Sequence, residues 1–211
     1  MTDSKRRSFI KAGMAMGASG LFIEAARATA PTPKEIEGPF YPVIAQKDRD
    51  FDLTKVEGKT GIASGEIIII QGKILDEDNT PIENASVDLW QANAAGRYRH
   101  PHDTNKAPLD PHFQGWAIVQ SGKAGRFRFK TIIPGAYPAS GTWIRPPHIH
   151  FKISKKGYIE LITQMYFPGH KLNDSDLLLK RKTKAERKLM MASQVDNKPD
   201  ALEFNIVLKK A

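Results

Sequence analysis

Two histidines and two tyrosines are the side chains of this sequence best suited to hold a metal ion. His148 and His150 stand two apart in an apolar run. Because side chains along a strand repeat with a period of two, both point to one face while Ile149 points to the other. Tyr98 and Tyr137 offer phenol oxygens upstream. A phenol binds a metal well only after losing its proton, which near neutral pH requires a strongly Lewis-acidic cation to offset a pKa of about 10. Two imidazoles and two phenols on one ion therefore favour trivalent iron.

Taken singly, none of these four residues predicts a metal site. A histidine pair spaced by one residue also occurs in zinc hydrolases, in cupins and in ordinary surface strands, and a lone tyrosine more often packs in a core. The sequence has no cysteine, which excludes disulfides, thiolate metal sites and cysteine nucleophiles. The tyrosine–cysteine cross-link of copper radical oxidases is excluded for the same reason. Any metal site must use oxygen and nitrogen ligands.

The elements that would position these residues are predicted as short strands separated by turns. From Gly65 onward, apolar alternation and Asp/Asn/Pro turns indicate an all-β fold, a β-sandwich core of short antiparallel strands with long loops and one C-terminal helix. Residues 92–115 predict a long loop, of a kind that is usually functional in compact domains. The main strands are predicted over residues 66–75, 85–91, 125–132 and 201–208, and the helix over 174–193.

Residues 1–30 have the features of an export signal. Arg6 and Arg7 precede a modestly apolar stretch that is too short to cross a bilayer and ends at Ala28-Thr29-Ala30. The pattern resembles the twin-arginine signal, which is a receptor-read address and not an anchor; the alternative is a disordered basic tail. We therefore expect a periplasmic protein without a stable membrane anchor, in which residues 31–211 form a single catalytic domain.

The chain is basic, with a formal net charge of +9, of which residues 1–30 contribute +3. The remaining positive charge lies largely in Lys152, Lys155 and Lys156 and in a cluster within residues 180–188. Nucleic-acid binding would require interleaved aromatic residues or a recognition helix, and this segment has neither. We therefore expect a solvated basic face and no nucleic-acid partner, although the charge could attract anionic substrates.

Several separated blocks of the sequence resemble the intradiol ring-cleavage dioxygenases, and the protocatechuate 3,4-dioxygenases more than the catechol 1,2-dioxygenases. The resemblance runs from about Glu37 to the last predicted strand, with the blocks in the order that the family has. The blocks span residues 37–42, 87–100, 134–138, 145–151 and 161–167.

The resemblance implies a five-coordinate Fe(III) site. In that family pattern, Tyr98 and His148 are equatorial ligands, Tyr137 and His150 are axial, and a hydroxide completes the set. Two phenolates and one hydroxide neutralise a trivalent ion, so such a centre can be enclosed without a large desolvation cost.

The resemblance also implies an activity. The protein would cleave the ring of a small catechol-type, protocatechuate-like diol with O2, giving a cis,cis-muconate-type diacid in aromatic catabolism. Tyr137 would leave the metal and take up a proton when the diol binds. Arg145 matches the family's active-site arginine, which stabilises charge on the reacting ring. Gln164 matches a polar residue that lines the same pocket.

The sequence leaves more than one possibility for the substrate and for the oligomeric assembly. Ala139 stands where protocatechuate enzymes often carry a tryptophan, so a more open pocket wall is expected there. We expect a homo-oligomer or an assembly with a related subunit. The alternative function is a non-catalytic periplasmic module in which the same sandwich binds a metal or an aromatic ligand without turnover.

Overall fold

The computed structural model describes residues 29–44, 46 and 48–211, so residues 1–28 of the predicted export signal lie outside the described part. Within that part, no helix is long and apolar enough to cross a bilayer. The predicted all-β class is confirmed, and the predicted loop over residues 92–115 contains neither helix nor strand. The elements are β1 (Ile67–Asp76), β2 (Ser86–Trp90), β3 (Trp116–Gln120), β4 (Arg126–Ile132), β5 (Tyr137–Ser140), β6 (Trp143–Arg145), β7 (His148–Ser154), β8 (Leu161–Tyr166), α1 (Leu177–Lys180), α2 (Lys184–Leu189), β9 (Ser193–Val195), β10 (Lys198–Glu203) and β11 (Ile206–Leu208).

The strands form two sheets and a short ribbon. In the first sheet, β4 pairs antiparallel with one edge of β1, while β10 and then β11 pair parallel with its other edge. β9 extends this sheet beyond β10. The second sheet is antiparallel, in the order β3-β2-β7-β8, and β5 pairs with β6 as a separate ribbon.

The hydrophobic core lies between the two sheets. Along β4, buried phenylalanines alternate with exposed arginines, as the sequence predicts. The rings of Phe127 and Phe129 contact Phe151 of β7, with centroids 6.0 and 6.3 Å apart. Leu89 of β2 and Ile149 of β7 are also fully buried in this core. Alternate residues of the second sheet therefore face the core, and the residues between them face the other way.

The C-terminal helix differs from its prediction, because α1 and α2 replace the single helix expected over residues 174–193. Asp176 caps α1 by accepting from the amides of Leu178 and Leu179, and Thr183 forms a capping box with Glu186 at the start of α2. An N-cap residue has non-helical backbone angles. Thr183 therefore begins a second helix instead of continuing the first.

The last strand also differs, because the strand predicted over residues 201–208 is interrupted between β10 and β11. Both pieces pair parallel with β1, not antiparallel as expected. In the interruption, Asn205 accepts a hydrogen bond of 2.9 Å from the amide of Lys73. A Cβ at Gly72 would collide with the carbonyl oxygen of Phe204. The close approach of the two backbones therefore requires glycine at this position.

Candidate metal centre

The outer face of the second sheet carries a row of buried polar and aromatic side chains. Trp90 of β2 lies opposite His150 of β7, which in turn lies opposite Gln164 of β8. His148 lies on the same face, opposite Tyr166. The Trp90 ring stacks on the His150 imidazole at 4.8 Å with an interplanar angle of 13°. This stacking fixes the plane of the imidazole.

The ribbon of β5 and β6 brings Tyr137 next to Arg145, its direct partner across the two strands. After Arg145, only Pro146 and Pro147 separate β6 from β7. Proline fixes its own φ angle, so this connection has little freedom. One short segment therefore positions both the tyrosine and the arginine beside His148.

Tyr98 lies in the long loop between β2 and β3. Its amide donates a hydrogen bond of 2.7 Å to Asp103 Oδ2, which holds the backbone at this point. Gly96 has a φ angle of +77°, and a Cβ there would collide with the carbonyl oxygen of Ala136. Glycine at this position lets the loop pack directly against the segment that carries Tyr137.

The structure brings the four predicted metal ligands into one buried cluster. The ring centroids of Tyr98 and Tyr137 are 5.5 Å apart, and those of Tyr98 and His150 are 6.1 Å apart. Tyr137 lies 5.6 Å from His148, which lies 4.9 Å from His150. None of the four side chains is more than 6% exposed. Four aromatic rings thus surround one small region of the protein.

The two imidazoles are arranged to accept a cation. His148 Nδ1 lies 2.7 Å from the carbonyl oxygen of Pro146. A carbonyl only accepts, so Nδ1 carries the proton and Nε2 keeps its lone pair. The Nε2 atoms of His148 and His150 are 3.2 Å apart. Two nitrogens that bind one ion at right angles, at about 2.1 Å each, lie about 3 Å apart. Burial, and then the charge of Arg145, hold the pKa of both histidines well below the usual value, which keeps them neutral.

The two phenols are buried and protonated in the absence of a cation. Burial, reinforced by the neighbouring Tyr137, raises the pKa of Tyr98 well above its usual value. Burial also raises the pKa of Tyr137, although the charge of Arg145 opposes the effect. Tyr98 Oη and His150 Nδ1 have no hydrogen-bond partner among the described residues. A buried polar atom without a partner costs about 1–3 kcal/mol. This donor set fits a highly charged ion, which would bind the Tyr98 oxygen and favour loss of its proton.

Arg145 lies beside the cluster in a network of fixed acceptors and is only 3% exposed. Its Nε donates to Asp176 Oδ2 at 2.9 Å. Its Nη2 donates to Gln164 Oε1 at 2.8 Å and to Tyr166 Oη at 2.7 Å. Its Nη1 lies 3.2 Å from His148 Nε2. The three predicted catalytic residues, Arg145, Tyr137 and Gln164, therefore surround the same region as the four rings.

Two members of this network were not predicted from the sequence. Tyr166 follows Gln164 by two positions in a strand, so the strand period places both on one face. Asp176 directly precedes Leu177, Leu178 and Leu179, which is the position of an N-cap residue. No sequence pattern indicates that Asp176 also contacts an arginine 31 positions earlier.

A segment before β1 covers one side of the cluster. Phe40 packs against the Tyr98 ring at 4.7 Å with an interplanar angle of 31°. The next residue, Tyr41, donates a hydrogen bond of 2.7 Å to Asp88 Oδ2, and Trp116 Nε1 donates one of 2.7 Å to Asp88 Oδ1. Burial raises the pKa of Asp88, although both hydrogen bonds oppose the effect. This buried carboxylate therefore anchors the covering segment to the second sheet.

The remaining described histidines lie apart from the four-ring cluster. His100 and His102 pack on each other in the loop with centroids 5.2 Å apart, and His102 is exposed. His112 is half-buried in the same loop. His170 accepts a hydrogen bond from the amide of Leu172. These four histidines therefore have structural or surface positions.

Comparisons with known proteins agree with this architecture. A family model described as "Dioxygenase" matches residues 36–210. The beta chain of protocatechuate 3,4-dioxygenase from Burkholderia cepacia is 40% identical over 195 residues, which cover 87% of this chain and 83% of that protein. The 6-chlorohydroxyquinol 1,2-dioxygenase of Cupriavidus pinatubonensis is 32% identical over 192 residues, which cover 83% of this chain and 66% of that protein.

A solved structure has the same fold over most of the described residues. It is the dioxygenase domain of a dioxygenase and carbohydrate-binding protein fusion from Streptomyces sp. SirexAA-E. The TM-score is 0.65 at 26% identity, and the match covers 86% of this chain and 100% of that domain. The chain belongs to the family of intradiol ring-cleavage dioxygenases.

Proposed function

We propose that this protein is an Fe(III)-dependent intradiol dioxygenase that cleaves a catechol-type, protocatechuate-like ring with O2 to a cis,cis-muconate-type diacid. The observation that carries this proposal is the convergence of two buried phenols and two neutral imidazoles. Tyr98, Tyr137, His148 and His150 would hold the ion. When bound, ferric iron supplies a Lewis-acidic centre that withdraws electron density from a chelated diol.

In this proposal, Tyr137 accepts a proton from the diol. Burial raises the pKa of its phenol, so Tyr137 Oη holds a proton strongly once it is no longer bound to a cation. An incoming diol must lose its protons to bind as a dianion. Tyr137 Oη would therefore act as a general base that takes up one of the two protons, and the hydroxide that the family pattern implies would take up the other as water.

Arg145 and Gln164 act beside the reacting ring. The guanidinium is a fixed positive charge in a buried site, where it stabilises negative charge that builds on the ring without any reorganisation of solvent. Gln164 accepts a hydrogen bond from Arg145 Nη2 and donates one of 3.0 Å to the carbonyl of Ile36. We therefore assign Gln164 to holding the arginine side of the pocket in place.

A visible absorption spectrum tests the iron site and the binding of a diol together. The purified protein is measured before and after anaerobic addition of protocatechuate or catechol. We expect a tyrosinate-to-ferric charge-transfer band that shifts when the diol binds. A protein that stays colourless after reconstitution with ferric iron would contradict the proposal.

The identity of the diol needs its own experiment. The proposal of a protocatechuate-like substrate is supported by the 40% identity to the Burkholderia cepacia beta chain. Oxygen uptake is measured with protocatechuate, catechol and hydroxyquinol at matched concentrations. We expect the highest kcat/KM with protocatechuate, and a clear preference for a diol without the ring carboxylate would contradict this assignment.

We further propose that the protein is exported to the periplasm by the signal in residues 1–30 and that residues 31–211 are the mature catalytic domain. The support is the twin-arginine pattern with its small-residue cleavage site. Cell fractionation with N-terminal sequencing tests the proposal. We expect an extracytoplasmic protein that lacks about the first thirty residues, whereas full-length protein in the cytoplasm alone would contradict it.

We also propose that the chain works as a homo-oligomer or together with a related subunit. The support is that the Burkholderia cepacia relative is named as the beta chain of its enzyme. Light scattering after size-exclusion chromatography measures the mass in solution. We expect a mass of at least two chains for the active protein, and full activity from a monomer would contradict this proposal.

A further inference from the structure

The carboxylate of Asp176 makes contacts on two sides. Its side chain is fully buried. Oδ2 accepts a hydrogen bond of 2.9 Å from Arg145 Nε, and Oδ1 accepts hydrogen bonds of 3.0 Å from the amides of Leu178 and Leu179. If the carboxylate shifted toward Arg145, it would lose its hydrogen bonds to the first amides of α1.

The hydrogen bonds of Arg145 leave one of its nitrogens facing the four-ring cluster. Nε donates its hydrogen bond to Asp176, and Nη2 donates hydrogen bonds to Gln164 and Tyr166. Nη1 remains and lies 3.2 Å from His148 Nε2. When that histidine nitrogen binds a metal, its lone pair is no longer available as an acceptor. The donors of Nη1 are then available to a ligand at the metal centre.

Asp176 also balances the charge of the arginine. Among the described residues, it is the carboxylate that pairs with Arg145, and both side chains are almost inaccessible to solvent. A buried guanidinium without a counter-ion is strongly unfavourable. The ion pair therefore holds the guanidinium in one place and keeps this part of the pocket neutral.

We propose that Asp176 is a positioning residue for the ring-cleavage reaction, which holds Arg145 so that Nη1 faces the bound diol. The inference rests on the proposed function. It couples the N-terminus of α1 to the active site, so that a residue outside the four-ring cluster sets the orientation of the catalytic arginine. Asp176 acts only through Arg145 and does not itself touch the reacting atoms.

The first test measures the geometry without any turnover. Asp176→Asn keeps a side chain that caps helices about as well as aspartate, but it removes the charge. The NMR signal of the Arg145 Nε hydrogen is followed in full-length protein from iron-depleted medium and is assigned by its loss in Arg145→Lys. We expect exchange of this hydrogen with solvent to be at least about tenfold faster in Asp176→Asn. Unchanged exchange would overturn the inference.

The second test is a double-mutant cycle on turnover of the best diol. We expect Asp176→Asn to lower kcat by about tenfold or more with a much smaller change in KM, because charge builds on the ring in the transition state. In an Arg145→Ala background, the same substitution should lower kcat less than about twofold. An equal loss of kcat in both backgrounds would show a role independent of Arg145 and would overturn the inference.

Thr183→Ala is the matched control, because it removes the cap of α2, which lies outside the arginine network. We expect its kcat to stay within about twofold of the parent protein. A loss as large as that of Asp176→Asn would attribute both effects to helix damage and would overturn the inference. If the parent protein cleaves no diol, the proposed function fails, and the NMR measurement alone decides whether Asp176 positions Arg145.

Discussion

Burial gives each of the four clustered rings a preferred protonation state. Desolvation penalises the charged form, so the histidines stay neutral and the tyrosines keep their protons. Neutral imidazoles are ready to bind a metal, whereas phenols must first ionise. The same burial therefore prepares the two histidines to bind a metal, whereas the two tyrosines would need a strongly Lewis-acidic cation to do so.

Tyr137→Phe, which removes a single oxygen atom, distinguishes the enzyme hypothesis from the binding-module hypothesis. The change removes the phenol oxygen and leaves the ring that packs against Tyr98 and His148. Because the proposed general base is lost, we expect kcat for ring cleavage to fall by about 100-fold or more. Stopped-flow measurement of turnover, with anaerobic titration of the diol, checks this expectation.

The binding-module hypothesis predicts a different result for Tyr137→Phe. A non-catalytic module should keep its affinity for an aromatic ligand, with no turnover in either protein. Turnover retained within about twofold would remove Tyr137 from the proton chemistry.

Individual residues differ in how far the sequence predicts them. The strand period predicts that His148 and His150 lie on one face, because residues two positions apart in a strand point the same way. Tyr98 and Tyr137 lie in a loop and at the start of a ribbon, where no period applies. Their residue type made them candidates, and the family resemblance singled them out. The partnership of Arg145 with Asp176 depends on how α1 packs on the second sheet, and it is visible only in three dimensions.

At the scale of elements, the site depends on a loop and a ribbon that pack on the second sheet. Gly96 and Ala136 make the contact between them, one residue before Tyr137. This contact brings the backbone near Tyr98 close to the backbone next to Tyr137. Within the loop, the Tyr98 amide donates to Asp103, and Phe40 of the covering segment packs on the Tyr98 ring.

Gly96→Ala should disturb the proposed metal site through this contact. A Cβ would collide with the Ala136 carbonyl, and the φ angle of +77° adds strain of about 1–3 kcal/mol. We expect the melting temperature to fall and the ferric charge-transfer band to weaken at equal iron supply. Calorimetry and iron analysis measure both effects.

Gly157→Ala is the matched control for this prediction. Its φ angle is +89°, but nothing lies within 4 Å of the added Cβ. It should lose stability through backbone strain while it keeps the band. Equal loss of the band in both variants would mean that the contact at Gly96 does not position the tyrosines.

The sequence predicts secondary-structure elements best where one hydrophobic repeat continues without interruption. β4 follows from clean alternation of apolar and polar residues, and β2 from an alternation that only Trp90 interrupts. The single helix over 174–193 was wrong because Thr183 and Glu186 form a capping box inside it, a local signal that outweighs the apolar pattern. The interruption of the last strand depends on contact with Gly72, a position more than 130 residues earlier in the chain.

At the scale of the whole molecule, the site and the core lie on opposite faces of the second sheet. Leu89 and Ile149 face the first sheet, while Trp90 and His150, the next residues along the chain, face the site. The folded protein thus presents the four proposed ligands together, which the unfolded chain does not. An ion that binds only the folded state stabilises it by mass action.

Removal of iron should therefore lower the melting temperature. A ligand present at about a thousand times its Kd stabilises by about 4 kcal/mol. For a chain of this size, that corresponds to a shift of about 8–16 °C. Differential scanning calorimetry of iron-loaded and chelator-treated protein checks the value. Identical melting temperatures, with the iron content verified, would contradict a site built from these four ligands.

The exposed tip of the ribbon, residues 138–142, suggests a route to new substrates. It lies between Tyr137 and Arg145 in the chain, yet none of its residues belongs to the hydrophobic core clusters. If the tip forms the pocket wall, as the family resemblance implies, a library that varies only these residues changes that wall and leaves the four-ring cluster and the core packing constant. Directed evolution of substrate range in this protein should therefore begin at Ala139, an exposed position outside the core clusters.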